Sequence, residues 1–246
     1  MKKTITFLLA ALGMTTACSQ KLPYEVDSFT TKSGKTVKFH ALVHSSIRIE
    51  FDGKEIQIDP VAKMGLKTIN YSVMPKADYI FITHEHFDHL DTMAIRMLSD
   101  NNTQLITNQN CAETLGYGTV MANGDRIQLA DDISVGAVPA YNISEGHQQF
   151  HPKGRDNGFI LILDGLRIYI AGDTEDIPEM AEIKDIDVAF LPCNQPYTMT
   201  VDQLIHAAKM IKPKVLFPYH YSQTDVSGIP SLLTGDGIDV RIRHYE

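Results

Sequence analysis

Residues 83–89 read Thr83-His84-Glu85-His86-Phe87-Asp88-His89 and contain three imidazoles and two carboxylates. Imidazole nitrogens and carboxylate oxygens bind zinc-like divalent ions at about 2.0–2.2 Å, so this stretch is suited to more than one ion. In an extended loop His84 and His86 project to the same side, because residues two apart share a face. Asp88 and His89 follow a bend and can reach a second ion. The stretch therefore predicts a metal site.

An apolar strand leads into this stretch, and a helix follows it. Residues 78–82 form a short apolar run of the kind found in a strand buried on both faces. Residues 90–98 have apolar side chains at helical spacing, and the polar run 99–102 ends that helix. A second apolar run, 215–218, also leads into a histidine, His220. Sites in α/β proteins lie beyond the carboxyl ends of strands, so we expect these two segments to meet at one cleft.

The rest of the chain alternates between strand and helix signals. Asp52-Gly53 and Asp164-Gly165 are typical hairpin turns between strands. Strands are predicted at 37–40, 46–51, 55–58, 78–82, 104–107, 126–129, 133–139, 159–163, 167–171, 188–191 and 215–218. A further helix is predicted at 200–211, with Thr200 as its N-cap. The pattern indicates an α/β fold.

The motif at 83–89 matches the HxHxDH signature of the metallo-β-lactamase superfamily, and the resemblance extends from about residue 36 to residue 245. Three further segments resemble one branch of this superfamily. That branch includes the ascorbate-6-phosphate lactonase-like proteins and the N-acyl-phosphatidylethanolamine phospholipase D-like proteins. The segments are Val43-His44-Ser45-Ser46 with Ile58-Asp59-Pro60, Ala171-Gly172-Asp173-Thr174, and Pro218-Tyr219-His220-Tyr221. The resemblance implies a four-layer αββα sandwich.

The same resemblance implies a role for each metal-site residue. His84 and His86 would bind the first ion, and Asp173 would bridge both ions. The second ion would be bound by Asp88, His89, Asp173 and His220. Asp88 would also be the catalytic residue that takes a proton from water or passes one to the leaving group. The expected cofactors are two divalent metal ions, with zinc favoured and manganese or iron as alternatives.

The third protein ligand of the first ion does not follow the superfamily pattern. Where many members have a histidine after the strand at 133–139, this chain has Tyr141-Asn142. The candidates are His151, then His147, then Asn142 itself. A first-row metal generally prefers imidazole to an amide oxygen, so we predict His151.

The predicted function is hydrolysis of an ester, lactone or phosphodiester bond by a hydroxide held between two ions. Metallo-β-lactamases proper lack the bridging carboxylate that Asp173 would provide, so β-lactam hydrolysis is not expected as the main activity. Two alternatives stay open from the sequence. One is a non-catalytic metal-binding surface protein, and the other is a di-iron redox protein of the same fold.

Composition restricts the class of partner. The formal net charge of −8 and the pI of about 5.6 argue against nucleic-acid binding, which needs a basic face. We therefore expect a small-molecule or lipid-like substrate, and the sequence does not predict an oligomeric state. Cys111 and Cys193 lack the spacing of a metal site or a disulfide framework, so buried thiols are expected.

The N-terminus resembles a bacterial export signal. Residues 1–18 combine two lysines, an apolar stretch and small residues before Cys18. Cys18 predicts lipidation and a membrane tether, although Thr15 stands where lipoprotein signals usually have leucine, so plain secretion stays open. Residues 19–35 are predicted to be a linker and 36–246 the hydrolase domain. The expected location is exported, either periplasmic or anchored to a membrane as a lipoprotein.

Overall fold

The computed structural model of the protein describes residues 24–245, and the predicted export signal at 1–18 with Cys18 lies outside them. Two seven-stranded sheets form the body of the described part, and a two-stranded hairpin accompanies them. The strands are β1 (Val26–Thr30), β2 (Thr36–Val43), β3 (Ser46–Phe51), β4 (Lys54–Ile58), β5 (Lys63–Met64), β6 (Lys67–Thr68), β7 (Tyr79–Phe81), β8 (Gln104–Thr107), β9 (Thr119–Val120), β10 (Arg126–Ala130), β11 (Ile133–Ala140), β12 (Asp156–Leu163), β13 (Leu166–Ile170), β14 (Val188–Pro192), β15 (Val215–Tyr219) and β16 (Asp239–Val240).

The two sheets have the same plan. The first has the order β1-β2-β3-β4-β7-β8-β9 and the second β10-β11-β12-β13-β14-β15-β16. Each begins as an antiparallel meander and continues as parallel strands, from β4 to β7 in the first sheet and from β13 to β14 in the second. The predicted hairpin turns are confirmed: Asp52-Gly53 and Asp164-Gly165 both have positive φ, as the tight turn between twisted strands requires.

Helices cover the outer face of each sheet. The α-helices are α1 (Thr92–Leu98), α2 (Gln109–Leu115), α3 (Val201–Ile211) and α4 (Ile229–Leu233). One apolar core lies between the sheets, a second packs α1 and α2 against the first sheet, and a third packs α3 and α4 against the second. The predicted four-layer αββα sandwich is therefore confirmed. None of the helices in the described part of the chain has both the length and the apolar character of a membrane span.

The linker predicted at 19–35 extends too far. Residues 26–30 form β1, which pairs in antiparallel register with β2 from Val26 opposite His40 to Thr30 opposite Thr36. Phe29 packs edge-on against Phe39 with 5.3 Å between the ring centroids. The sheet therefore begins inside the stretch expected to be a linker, because one partly buried aromatic and a complete strand pairing outweigh its polar composition.

Candidate metal centre

Loops at the carboxyl ends of the strands bring the predicted site residues to one edge of the sandwich. His84 lies three residues beyond β7, Asp173 lies three residues beyond β13, and His220 directly follows β15. The loop between β11 and β12 carries His151. β7 and β15 belong to different sheets. The two strands that each lead into a histidine therefore lie in different sheets, and their histidines meet at one edge of the sandwich, as the sequence predicted.

The first group of side chains is the one predicted for the first ion. The ligand atoms of His84, His86 and His151 all lie within 4.8 Å of one another. His151 is thus the candidate that reaches the cluster. His147 instead contacts Glu175, with 3.2 Å between His147 Nδ1 and Glu175 Oε1. The Asn142 amide donates a hydrogen bond of 2.7 Å to the carbonyl of Tyr197, so its side chain braces the loop.

Asp173 lies at the centre of the cluster. Its Oδ2 is 3.2 Å from His220 Nε2, 3.4 Å from His151 Nε2 and 3.9 Å from His84 Nε2. Its Oδ1 is 3.3 Å from His89 Nε2. One carboxylate thus contacts imidazoles that come from both halves of the chain, as expected of a bridging group.

The residues predicted for the second ion fall into two groups. His89 and Asp173 group with His84, whereas Asp88 and His220 group with His44, again with ligand atoms within 4.8 Å of one another. Asp88 Oδ2 is 3.6 Å from His220 Nε2 and 3.3 Å from His44 Nε2. The contact between Asp173 and His220 connects the two groups. His44, to which the resemblance assigned no metal role, lies inside this second group.

Two of the imidazoles contact a buried carboxylate through Nδ1, the ring nitrogen directed away from the cluster. Asp59 Oδ2 is 2.8 Å from His89 Nδ1, and the backbone N–H and hydroxyl of Thr83 also donate to Asp59. Asp156 Oδ2 is 2.9 Å from His151 Nδ1. Each carboxylate leaves the Nε2 atom of its histidine directed into the cluster. Such carboxylate–histidine pairs are the usual support of metal ligands, because they fix the tautomer and orientation of the ring.

The atoms directed into the cluster fit cations. Within residues 24–245, the following buried atoms form no hydrogen bond: Nε2 of His84, His89, His151 and His220, and Oδ1 of Asp173. Burying polar atoms without partners is costly. Two ligands of one tetrahedral ion with bonds of about 2.1 Å lie about 3.4 Å apart. The separations of 3.2–3.6 Å between Asp173 or Asp88 and the nearest imidazoles agree with that spacing.

Burial and charge act together on the cluster's protonation. Burial holds the pKa of His84 well below its ordinary value, which favours the neutral imidazole that binds metals. Burial opposes protonation of His220, but the charge of Asp173 outweighs it and raises the pKa of His220 to about 9. Burial would raise the pKa of Asp173, yet His220 and His89 keep it well below its ordinary value. Asp173 therefore stays a carboxylate.

The backbone is strained where it presents several of these side chains. His44, Asp59 and His220 have φ values of 54°, 41° and 48°, a region that non-glycine residues rarely occupy. Strain of this kind persists where the surrounding structure imposes it, and it clusters at functional sites. At this edge the backbone N–H of His220 donates to the carbonyl of His44 over 3.1 Å. The two strained residues hold each other in place.

An open cleft of about 600 Å³ leads to the cluster. Part of its lining is apolar: Phe87, Tyr197, Phe150 and Met64. Phe87 is 79% exposed and Tyr197 45% exposed, so both are available to a ligand. The remaining lining residues are polar or acidic, namely His44, Glu85, His86, Asp88, His151, Asp173, Asn194 and Ser222. Among residues 24–245, neither a lysine nor an arginine contributes to this lining.

The residues that sequence reasoning missed are the supporting ones. Asp59 follows the end of β4, so the strand-end argument used for His84 could have found it. No sequence signal distinguished Asp156, since its role depends on the fold of the loop before β12. The two cysteines of the described part, Cys111 and Cys193, are free and buried, as predicted.

Comparison with known proteins agrees with the fold and with a metal-dependent hydrolase. Residues 38–220 match the model of the β-lactamase superfamily domain. The chain is 32% identical over 195 residues to a UPF0173 metal-dependent hydrolase of Nanoarchaeum equitans, covering 76% of this chain and 84% of that protein. A crystal structure from Parabacteroides distasonis, described as that of a metal-dependent hydrolase, is 50% identical with a TM-score of 0.88, covering 91% of this chain and all of that one.

A metallohydrolase from the archaeon Ignicoccus hospitalis is also similar in structure. It is 27% identical, with a TM-score of 0.71, and the match covers 84% of this chain and 94% of that protein. The named relatives are hydrolases, which favours hydrolysis over the non-catalytic and the di-iron redox alternatives. The chain belongs to the β-lactamase superfamily, as a metal-dependent hydrolase.

Proposed function

We propose that the chain hydrolyses a neutral carboxylic ester or lactone that carries an apolar substituent, with two divalent cations at the cluster. The observation that carries this proposal is the lining of the cleft, in which an apolar rim adjoins the carboxylates and imidazoles and to which the described part of the chain contributes no cationic side chain. A bound pair of cations would supply hydroxide at neutral pH and polarise the scissile group. The chain's own residues must therefore hold the cations, position the substrate and move a proton.

The residues proposed to bind cations divide into one set for each cation. His84, His86 and His151 would hold the first cation, and Asp173 would contact both. Asp88, His89 and His220 would serve the second. Zinc is the metal that this imidazole-rich donor set favours, with manganese or iron as alternatives.

Asp88 is the group we assign to proton transfer. Its side chain lines the cleft and is 17% exposed, more than Asp173 at 3%. Burial would raise the pKa of Asp88, but contacts with His220 and His44 hold it well below its ordinary value. Asp88 is thus ionised, and as a carboxylate in the lining of the cleft it is placed to receive a proton during the reaction.

The charge of the cleft favours a neutral substrate over a phosphodiester. Sites for phosphate groups usually provide arginine or lysine side chains that bind the equatorial oxygens. Two basic residues of the loop before β12 are already engaged: Arg155 Nε is 2.6 Å from Asp156 Oδ1, and Lys153 Nζ is 2.7 Å from Glu179 Oε1. The carboxylate of Glu85 stands in the lining instead.

The apolar rim favours an alkyl or aryl group next to the scissile bond. Phe150 and Tyr197 pack edge-on with 5.0 Å between their ring centroids, and both face the cleft. Each CH₂ that a substrate buries there contributes about 0.8 kcal/mol, or about a fourfold gain in kcat/KM at full burial. The preference should therefore grow with chain length.

The test compares p-nitrophenyl esters of increasing acyl length, γ- and δ-lactones with and without alkyl tails, and bis-p-nitrophenyl phosphate. We expect kcat/KM to be higher for esters or lactones than for the phosphodiester and to rise with chain length. Tyr197→Ala should flatten that rise, whereas Tyr117→Ala, at a tyrosine that is 52% exposed and outside the cleft, should not. Faster hydrolysis of the phosphodiester would refute the substrate class. Activity that survives Asp173→Asn would refute the metal mechanism.

A further inference from the structure

His44 lies in the tight connection between β2 and β3, on the same side of the cluster as His220. Its side chain is buried at 2% exposure, and its N–H donates to the carbonyl of Tyr245 over 2.9 Å. Its carbonyl accepts the N–H of His220 over 3.1 Å. With φ at 54°, the backbone is fixed in a conformation that directs the imidazole inward and that only a few residue types tolerate. The fold therefore imposes the position of this ring.

The distance from the His44 imidazole to the Asp88 carboxylate matches the distance between another imidazole and carboxylate of the cluster, His89 and Asp173. His44 Nε2 is 3.3 Å from Asp88 Oδ2, close to the 3.3 Å between His89 Nε2 and Asp173 Oδ1. The rings of His44 and His220 are 3.8 Å apart between centroids, so they converge on the same side of Asp88. These spacings match the separation of about 3.4 Å expected for two ligands of one ion.

The grouping of ligand atoms is the second observation. His44, Asp88 and His220 form a complete triad within 4.8 Å, equivalent to the triad of the first cation. Without His44, Asp88 and His220 would have as their third donor only Asp173, which the first group shares. With His44, this side provides two imidazoles and a carboxylate, which is the donor set of three protein ligands typical of catalytic zinc sites.

We propose that His44 is a ligand of the second cation, together with Asp88 and His220. This inference rests on the proposed function, because it assumes that the cluster binds two cations. It also gives the second cation a ligand in the connection before β3. That cation would then be bound by segments from the beginning, the middle and the end of the chain.

The experiment measures cobalt binding to the metal-free protein. Co²⁺ is titrated against a competing chelator, and hyperfine-shifted imidazole N–H signals of the loaded protein are counted by proton NMR. The variant is His44→Asn, since asparagine tolerates the left-handed backbone and its amide is a weaker ligand than imidazole. The matched control is His206→Asn on α3, where the histidine side chain is 62% exposed and contacts Asp176.

We expect His44→Asn to bind the first Co²⁺ like the parent and the second more than about 100-fold more weakly. That loss exceeds the 10–100-fold cost typical of removing an outer hydrogen-bond partner. One shifted imidazole signal should disappear, and His206→Asn should bind both ions normally. His44→Gly, which suits the positive φ, should regain the second ion when free imidazole is added.

A retained set of imidazole signals in His44→Asn, or affinity within about 100-fold of the parent for both ions, would show that His44 is only a partner of Asp88. That result would overturn the inference and leave the proposed function intact. A parent protein that binds fewer than two Co²⁺ ions would instead overturn both.

Discussion

Asp156 does not line the cleft, but it orients His151, which does. It is fully buried at the start of β12, where its Oδ2 contacts His151 Nδ1 and its two oxygens accept from the Arg155 guanidinium. The paired arginine fixes the carboxylate, which is then placed to accept a hydrogen bond from Nδ1 of His151. His151 would then present a lone pair on Nε2 to the first cation.

Asp156→Asn should weaken binding of the first cation and lower kcat/KM by about 10–100-fold, as loss of a supporting carboxylate usually does. The amide can donate to Nδ1 and stabilise the wrong tautomer, which places the ring proton on Nε2. Isothermal titration with Zn²⁺ and steady-state kinetics measure both effects. Asp131→Asn, at an exposed turn, is the control. Unchanged affinity in Asp156→Asn would mean that His151 is not a ligand.

The same residues show what the sequence could and could not predict about the site. The spacing of the motif at 83–89 was sufficient to place His84 and His86 together, because a short loop after a buried strand leaves few alternatives. It could not decide between His147 and His151, four residues apart on an irregular loop. The fold decides, since Glu175 contacts the first and Asp156 the second. Glu175 comes from the segment after β13, and Asp156 is the first residue of β12. The spacing of residues in the sequence does not reveal either contact.

At the scale of elements, strands with strong apolar patterns were predictable and edge elements were not. β7, β8 and β15 lie where alternation and apolar runs placed them. β1 was missed because it is an edge strand in a polar segment and is stabilised by partners distant in sequence, such as the guanidinium of Arg243 on Asp27. α2 was missed because it is short and buries mainly Cys111, so it has little periodic signal.

Close approach of β12 to the segment after β13 positions Asp173. A Cβ at Gly158 would lie 2.7 Å from the carbonyl oxygen of Ala171, a separation that real side chains do not show. The carbonyl belongs to the backbone immediately before Gly172-Asp173, where Gly172 donates to the Tyr219 hydroxyl over 3.0 Å. A side chain at 158 must therefore push the carboxylate of Asp173 away from the cluster.

Gly158→Ala should lower the free energy of unfolding by about 1–3 kcal/mol, the usual cost of overpacking. It should also weaken metal binding, because the displaced segment carries Asp173. Urea unfolding with Zn²⁺ and with chelator measures the two effects. In the control, Gly136→Ala in β11, the added Cβ has no neighbour nearer than 3.6 Å. Equal stability of the two variants would contradict the role given to this contact.

At the scale of the whole molecule, export is a property that only the first residues predict. Cys18 is expected to be lipidated and to tether the domain, although it lies outside the described residues. Palmitate labelling of a bacterial host that expresses the full chain should give a labelled protein in the membrane fraction. Cys18→Ser should abolish the label. A parent chain that is secreted without label would support plain export instead.

Bound cations would connect the two halves of the sandwich. One half, built on the first sheet, provides His84, His86, Asp88 and His89, and the other provides His151, Asp173 and His220. A ligand that binds only the folded state stabilises it by about 2.7 kcal/mol when its free concentration is 100 times its dissociation constant. Because this site exists only when both halves are packed together, metal binding must be coupled to global unfolding.

Removing the metal should therefore lower the Tm of the whole domain in one transition. For a chain of this size, 2.7 kcal/mol corresponds to about 5–10 °C, and a second ion adds to that shift. Differential scanning calorimetry with chelator and after addition of Zn²⁺ measures it, with Asp173→Asn as the variant that should respond little. If the halves were independent, chelation would split the transition into two. A single transition that shifts with free Zn²⁺ in the parent, but not in Asp173→Asn, would show that the two sheets share the ions that the cluster holds.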